Sequence, residues 1–509
     1  MKRLVFALTL ALFCWTVNAQ EKKLPVFITD SLNNYIVKGM NDWKIPGLAV
    51  AIVKDGKVVY INGFGTTRMG GPESVDENTL FMIGSNTKAF TSTTLSILQA
   101  AGKLNLNDKV KKWMPEFQLK DSLASHEINI IDLLSHRIGF ETFQGDFTYW
   151  SSNLSRAEVI RKMRFIDAPY GFRTKWGYCN AAFLTAGELI PRITGKSWEQ
   201  TVKDSILIPL KMNRTLMLAN DLKKSTNVAQ PYTIVDNQLI EIPIPQIDNL
   251  APAASMSSSA KDMTSWLLAQ LNEGKLNGQQ LIPAMAIRNI RTPASIMGID
   301  PRDHKFSHFR LYGLGLAIGD RDGKLMYSHT GAVDGFLSSV MFLPEEKLGI
   351  VVLTNTDQNN FFQNLTDEIR DAFLELPYQG FSYQSLEQFK KRNQLANDKM
   401  DTIKNMIKRH NKPALPINSY TGKYQNPVYG WIEIKLENDL LNIHFSNHPD
   451  LIGKLEHIQN DNYLCTYSNP TMGIVEIPFT IKDGVVTGLT LRVADFLEFT
   501  PYQFSKVSQ

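Results

Sequence analysis

The sequence predicts an α+β fold: one antiparallel sheet flanked by helices, with a helical insertion, followed by a small all-β C-terminal domain. Three observations predict it. Strand-like runs bounded by turn residues occur near Gly47 and return from Tyr312 onward, at the two ends of one long segment. The stretch between them carries helical periodicity. Beyond Tyr420, short alternating runs recur about every ten residues with turns at Asn438-Asp439 and Lys482-Asp483-Gly484.

The first residues stand apart from the fold. Lys2 and Arg3 precede an apolar run over residues 4–17, and Val17-Asn18-Ala19 has the small-x-small form of a cleavage site. Residues 1–19 are therefore expected to be a secretory signal peptide, and the mature protein to be periplasmic or secreted. The run is shorter than the roughly 20 apolar residues of a membrane span, and no later run is longer, so no stable span is expected after cleavage.

Residues 47–53 and 57–65 flank Asp55-Gly56, a strong hairpin turn. Helices are expected over 85–101, 131–136, 156–163, 181–193, 197–206 and 260–271. A strand meander follows over 312–318, 324–329, 336–343 and 349–355. Charged residues over 384–410 and the two prolines of 412–416 read as a partly helical linker. The expected organisation is a leader over 1–19, a main domain over 20–380, a linker over 381–416 and a β domain over 417–509.

Composition narrows the function. With 54 Lys plus Arg against 50 Asp plus Glu, spread without long basic runs, the 509-residue chain lacks the electrostatic footprint of a nucleic-acid binder. Three cysteines cannot build a disulfide framework, so stability must rest on packing. His304 and His308 have helical spacing but no accompanying glutamate motif and read as surface residues; no metal site and no cofactor are expected.

The sharpest chemical signal is Gly84-Ser85-Asn86-Thr87-Lys88 at the start of an apolar helix. A lysine three residues after a serine lies one turn away on the same face, so the two side chains can touch. If burial lowers the lysine pKa, the amine can take the serine proton and make the hydroxyl an acylatable nucleophile. Ser-x-x-Lys alone is weak, because composition predicts about two chance occurrences, and Ser258-Ser259-Ala260-Lys261 is a second. There Ser259 and Asp262 read as a capping box. Two further elements complete the set. Tyr178-Cys179-Asn180 lies in a loop entering a helix, and His329-Thr330-Gly331-Ala332 ends a strand, where the glycine would let a substrate backbone approach an edge.

In this order and at this wide spacing, Ser85-x-x-Lys88, Tyr178-x-Asn180 and His329-Thr330-Gly331 resemble the serine β-lactamase and penicillin-binding-protein superfamily, over about residues 24–375. The Tyr-x-Asn form is closer to its class C β-lactamase and D,D-carboxypeptidase branch. The resemblance implies a β-lactamase/transpeptidase-like fold and catalysis through an acyl-serine. Ser85 would be the nucleophile, Lys88 and Tyr178 would share the general-base task, and the backbone N–H groups of Ser85 and Ala332 would hold the oxyanion. Asn180, His329, Thr330 and Gly331 would contact substrate. The C-terminal domain resembles the lipocalin-like β modules attached to such hydrolases, its tyrosines and Trp431 forming core or lining a ligand cavity.

One departure shapes the expected activity. Histidine stands at 329 where β-lactamases of this type carry a lysine, and a mostly neutral imidazole makes a poor partner for a β-lactam carboxylate. The expected function is thus an exported serine hydrolase of esterase or D-amino-acid peptidase type. Its partners would be small ester, amide or peptide substrates, cell-wall fragments among the candidates. Three alternatives stay open: an acyltransferase using an alcohol or amine acceptor, a β-lactamase or D,D-carboxypeptidase, and a non-catalytic peptidoglycan or ligand sensor.

Overall fold

The computed structural model describes residues 23–298 and 307–507. The leader expected over 1–19 and His304 lie outside the described residues. Helix α1 (Leu32–Trp43) leads into strand β1 (Gly47–Lys54), and the Asp55-Gly56 turn, both residues at positive φ, returns the chain as β2 (Lys57–Gly65). After a short 3₁₀ turn come helices α2 (Thr87–Ala100), α3 (Asn180–Thr194) and α4 (Ala260–Leu271) with shorter helices between them. The chain then returns to the sheet as β3 (Ser295–Gly298), β4 (Arg310–Tyr312), β5 (Ala317–Arg321), β6 (Lys324–Val333), β7 (Phe336–Leu343) and β8 (Leu348–Thr354).

The sheet order is β2-β1-β8-β7-β6-β5-β4-β3 with antiparallel neighbours, so the first strands close against the last, as the expected fold class requires. β1 is buried on both faces. Its Leu48, Val50 and Ile52 pack with α1 and helix α5 (Phe361–Phe373), while Ala49, Ala51 and Val53 join the core under the inserted helices. Helices α1 and α5 are not among the helix ranges expected from the sequence, although a sheet flanked by helices is.

Two strand expectations need correction. The run over 312–318 is not one strand: it breaks into β4 and β5, which pair Tyr312 with Ala317 around Gly315 at φ +79°. A Cβ on Gly315 would lie 2.9 Å from the Lys88 carbonyl oxygen, so glycine permits both the reversal and the close approach to α2. Nor does His329 end an edge strand. β6 continues to Val333 and lies between β5 and β7, but β5 stops where Ala317 meets Ser328. Residues 329–333 therefore pair with β7 only, and their other edge faces the start of α2.

Helix α6 (Phe381–Ile407) leads from α5 to the C-terminal domain, where its Ile403 packs with Ile458 and Leu464. That domain is a closed eight-stranded antiparallel barrel. Its strands are β9 (Gly422–Asn426), β10 (Gly430–Glu437), β11 (Leu440–Phe445), β12 (Ile452–Gln459), β13 (Asn462–Tyr467), β14 (Ile474–Lys482), β15 (Val485–Leu491) and β16 (Tyr502–Lys506). Each strand pairs with the next and β16 closes on β9, which leaves no open edge. Tyr424, Tyr429, Tyr463, Tyr467 and Tyr502 are buried, whereas Trp431 is exposed under the Lys423 ammonium. The barrel core is continuous with the main core. Phe147, fully buried, stacks on Tyr429 and His448 of the barrel with ring centroids 5.1 Å away in both cases.

Candidate active site

Gly84–Asn86 form a single 3₁₀ turn that runs straight into α2. Gly84 has φ +52°, and a Cβ there would lie 2.7 Å from the backbone nitrogen of Ala332, so the turn can lie flush against the free edge of β6 only with glycine. The Asn86 amide donates to Ser338 Oγ at 2.8 Å and Ser338 donates to the Ile83 carbonyl at 2.9 Å, which fixes the turn to β7 as well. Ser85 is left partly exposed at the cleft, with Lys88 one turn deeper and fully buried.

The Lys88 Nζ has three partners: Ser85 Oγ at 2.9 Å, Asn180 Oδ1 at 2.7 Å and the Ala253 carbonyl at 3.0 Å. Two of these oxygens only accept. A neutral amine must spend its two N–H bonds on Asn180 and Ala253, which turns its lone pair toward the Ser85 hydroxyl. Burial pulls the Lys88 ammonium down to about 7, opposed by the charge of Asp146. Tyr178 sits beside the pair, and its phenol shares a hydrogen bond with Ser85 while burial holds its pKa well above the usual phenol range. The structure thus brings together Ser85, Lys88, Tyr178 and Asn180 from two helix starts and one loop.

Asp146 was missed by the sequence reading. Its Oδ2 accepts from the Asn180 amide at 2.6 Å and its Oδ1 accepts from the Tyr149 hydroxyl. The carboxyl is buried, which raises it to about 7, against the pull of those donors and of Lys88. A lone aspartate in a loop gives no pattern, but residues 143–150 hold Phe143, Phe147, Tyr149 and Trp150, an aromatic density that marks the loop as buried.

His329 lies at the far wall. Its Nδ1–H donates to the Thr330 carbonyl at 2.6 Å, so its Nε2 accepts from the Tyr312 hydroxyl at 2.9 Å. Tyr312 in turn accepts from His136 Nε2 at 3.3 Å, because His136 Nδ1 already accepts from the Cys179 N–H at 3.0 Å. The backbone groups at both ends fix every proton in this chain. Burial and Lys88 depress His329 to about 3 and hold His136 well below its usual value, so both rings are neutral. The His136 ring lies 4.1 Å from that of Tyr178 and supports it from behind.

Gly331 does not serve as expected. A Cβ there would meet the Ile83 carbonyl at 1.9 Å and Ser338 Oγ at 2.4 Å, so the glycine admits the chain's own turn, not a substrate backbone. The Ala332 nitrogen lies against Gly84, the residue before Ser85, and Ala332 and Ser85 line one cleft; the Ser85 N–H is among the early helix donors without an intrahelical acceptor. The two define a candidate oxyanion hole. The cleft in front of them has a volume of about 370 Å³ and is lined by Thr330, Phe143, Trp176 and Tyr312, with Phe496 and Leu497 contributed by the barrel.

The second Ser-x-x-Lys is structural. Ser258 is buried against Thr215 Oγ1 at 2.8 Å, and Lys261 pairs with Glu77 on the surface. Ser259 does accept from the Asp262 N–H, but the capping box is incomplete, because the Asp262 carboxylate instead accepts from the backbone N–H groups of Arg214 and Thr215, both at 2.8 Å.

Residues 32–374 match the family model described as Beta-lactamase. The chain belongs to the beta-lactamase family. Residues 408–506, which contain the barrel, match a domain of unknown function, DUF3471. Among curated proteins this family member is similar to the unguisins hydrolase ungD' of Aspergillus campestris, 28% identical over 433 residues that cover 81% of this chain and 78% of that protein. It is also similar to Protein flp of Staphylococcus aureus, 27% identical over 318 residues, 61% of this chain and 60% of that one. Among solved structures, an octameric penicillin-binding protein homologue from Pyrococcus abyssi aligns over 93% of this chain and 99% of its own, with TM-score 0.62 and 22% identity. A D-stereospecific amidohydrolase from Streptomyces aligns over 66% of this chain and 97% of its own, with TM-score 0.53 and 19% identity. These two share the beta-lactamase-family fold.

Proposed function

We propose that the protein is an exported serine hydrolase that cleaves ester or amide bonds of small substrates through an acyl-Ser85 intermediate. The observation that carries this reading is the Lys88 amine, buried, poised near neutral pH and 2.9 Å from Ser85 Oγ with its lone pair turned toward it. Ser85 attacks the substrate carbonyl as Lys88 takes its proton, and the N–H groups of Ser85 and Ala332 receive the developing oxyanion. Tyr178, a neutral phenol beside Ser85, protonates the leaving alkoxide or amine, and the phenolate so formed draws a proton from Lys88. Water then attacks the acyl-enzyme with the roles reversed, which restores Ser85.

Neutral His329 supports an ester or amide substrate over a β-lactam, because no fixed cation stands at that position to meet a β-lactam carboxylate. A complete Ser85, Lys88, Tyr178 set also supports catalysis over a sensor role, which needs no activated nucleophile. Export rests on the leader pattern of residues 1–19.

Mass spectrometry of the intact protein after exposure to a fluorophosphonate, penicillin, and a panel of esters and D-amino-acid amides tests the reading. A single adduct on Ser85, lost in Ser85→Ala, is expected, together with free acid as the product of the ester panel. No adduct, or one on another residue, overturns the assignment. Transfer of the acyl group to an added alcohol or amine in preference to water makes the protein an acyltransferase instead.

A further inference from the structure

We propose that Glu498, carried by the C-terminal barrel, is a positioning residue for the chemistry at Ser85, which it controls by holding the chain on both sides of Asp146. The proposal rests on the acyl-serine reading above. Glu498 lies between β15 and β16, in the same loop as Phe496 and Leu497, and its side chain leaves the barrel for the main domain. It is 2% exposed. One carboxyl oxygen accepts from the Gly145 N–H at 2.8 Å, and the other accepts from the Phe147 N–H at 2.9 Å and from the Tyr502 hydroxyl at 2.7 Å. The residue between those two N–H groups is Asp146.

From Asp146 the path to the nucleophile is short. The carboxyl takes the Asn180 amide at 2.6 Å, the Asn180 oxygen takes Lys88 at 2.7 Å, and Lys88 reaches Ser85 at 2.9 Å. Every link is a directional bond, and Asp146, Asn180 and Lys88 are buried, so a displacement of the 145–147 turn moves Asn180 and the amine it orients. Phe147, plugged into the barrel, and Phe143, whose ring lies 5.9 Å from that of Phe499, bracket the same turn. A hydrolase domain deprived of the barrel loses both the Tyr429 and His448 socket that holds Phe147 and the carboxyl that satisfies the turn.

Lys88 is faced by Asp146, Tyr178, Cys179, His136 and His329; Glu498 is faced by Asp146, Tyr149 and Tyr502. Burial raises Glu498 to about 8, so through the neutral range it stands mostly as an uncharged acid, and Glu498→Gln changes its hydrogen bonds rather than its charge.

The test uses the full-length chain as Glu498→Gln, with Lys162→Met as control. Lys162 donates to the Val428 and Tyr429 carbonyls, both at 2.7 Å, and so ties the barrel to the main domain without touching residues 145–147. For ester hydrolysis by Glu498→Gln, kcat is expected to fall about ten- to a hundredfold with KM little changed. Lys162→Met should keep the wild-type kcat and KM. Wild-type kinetics in Glu498→Gln, or an equal loss in Lys162→Met, overturns the proposal. Should Glu498→Gln fail to fold, Tyr502→Phe removes one bond to the same carboxyl and is expected to lower kcat in the same way by less, with KM unchanged; an unchanged kcat overturns the proposal. Absence of fluorophosphonate labelling at Ser85 in the wild type would instead reject the acyl-serine reading itself.

Discussion

The Lys88 Nζ lies 4.6 Å from the centre of the Tyr178 ring, so the two candidate bases meet face to face behind Ser85. The ring face favours the ammonium. Burial disfavours it and wins, leaving Lys88 at about 7 while Tyr178 stays protonated far above that. Of these two candidate bases, Lys88 is therefore the one that changes state in the neutral range.

The pH dependence follows. The free amine is the active form, so kcat/KM should be low in acid and rise through about pH 7 toward a plateau. The Asp146 carboxylate raises the lysine pKa, so Asp146→Asn should move that limb to lower pH while lowering the plateau. Rate profiles of the two proteins on one ester check this; a limb that moves upward contradicts it.

Tyr178→Phe removes the phenol and keeps the ring packed on His136. Loss of one acid–base group is expected to cost kcat about 10²- to 10⁴-fold. The loss should be larger for amides than for activated esters, whose leaving groups need little protonation. Stopped-flow acylation with the two substrate types gives the comparison.

Ser85→Ala should abolish turnover, whereas Ser258→Ala should retain it. The latter loses a buried hydroxyl contact with Thr215 and is expected to cost about 1 kcal/mol of stability. Parallel rate and thermal-unfolding measurements separate the two effects, and equal activity in both variants would remove Ser85 from the mechanism.

His329→Lys places a cation on the cleft wall in place of a neutral ring. The ratio of β-lactam turnover to ester turnover should rise, read by penicillin and chromogenic ester assays on the same preparation. An unchanged ratio would show that charge at 329 does not select the substrate.

Phe147→Ala empties the site between Tyr429 and His448. Truncation of a fully buried phenylalanine is expected to cost about 3–5 kcal/mol. The cost falls on the contact between the two cores, so barrel tyrosine fluorescence and main-domain activity should be lost at different urea concentrations in the variant and together in the wild type.

The legible parts of the molecule were those written in local spacing. Ser85 and Lys88 lie one helical turn apart, Tyr178 and Asn180 flank one residue, and the β domain shows its alternation in sequence. The fold class was legible from strands at both ends of a helical stretch. What escaped was carried by pairings across long separations. Asp146 matters because of Asn180, His136 because of Cys179 and Tyr312, and Glu498 because of Gly145 and Phe147, partners 353 and 351 positions away. Gly331 was misread for a related reason: its sequence shows that something must come close, and only the packing shows that this is Ile83.

The pairing of β1 with β8 also dictates an order of events during synthesis. Leu48 lies opposite Thr354, so the strand made among the first must wait until about 300 further residues have left the ribosome before its partner exists. Until then its six apolar side chains lack the β8 and α5 neighbours that complete their burial in the finished sheet. Assembly of the sheet is thus the late, slow event of folding, and the nascent chain is most open to aggregation, and most dependent on chaperones, in the interval before β8 emerges.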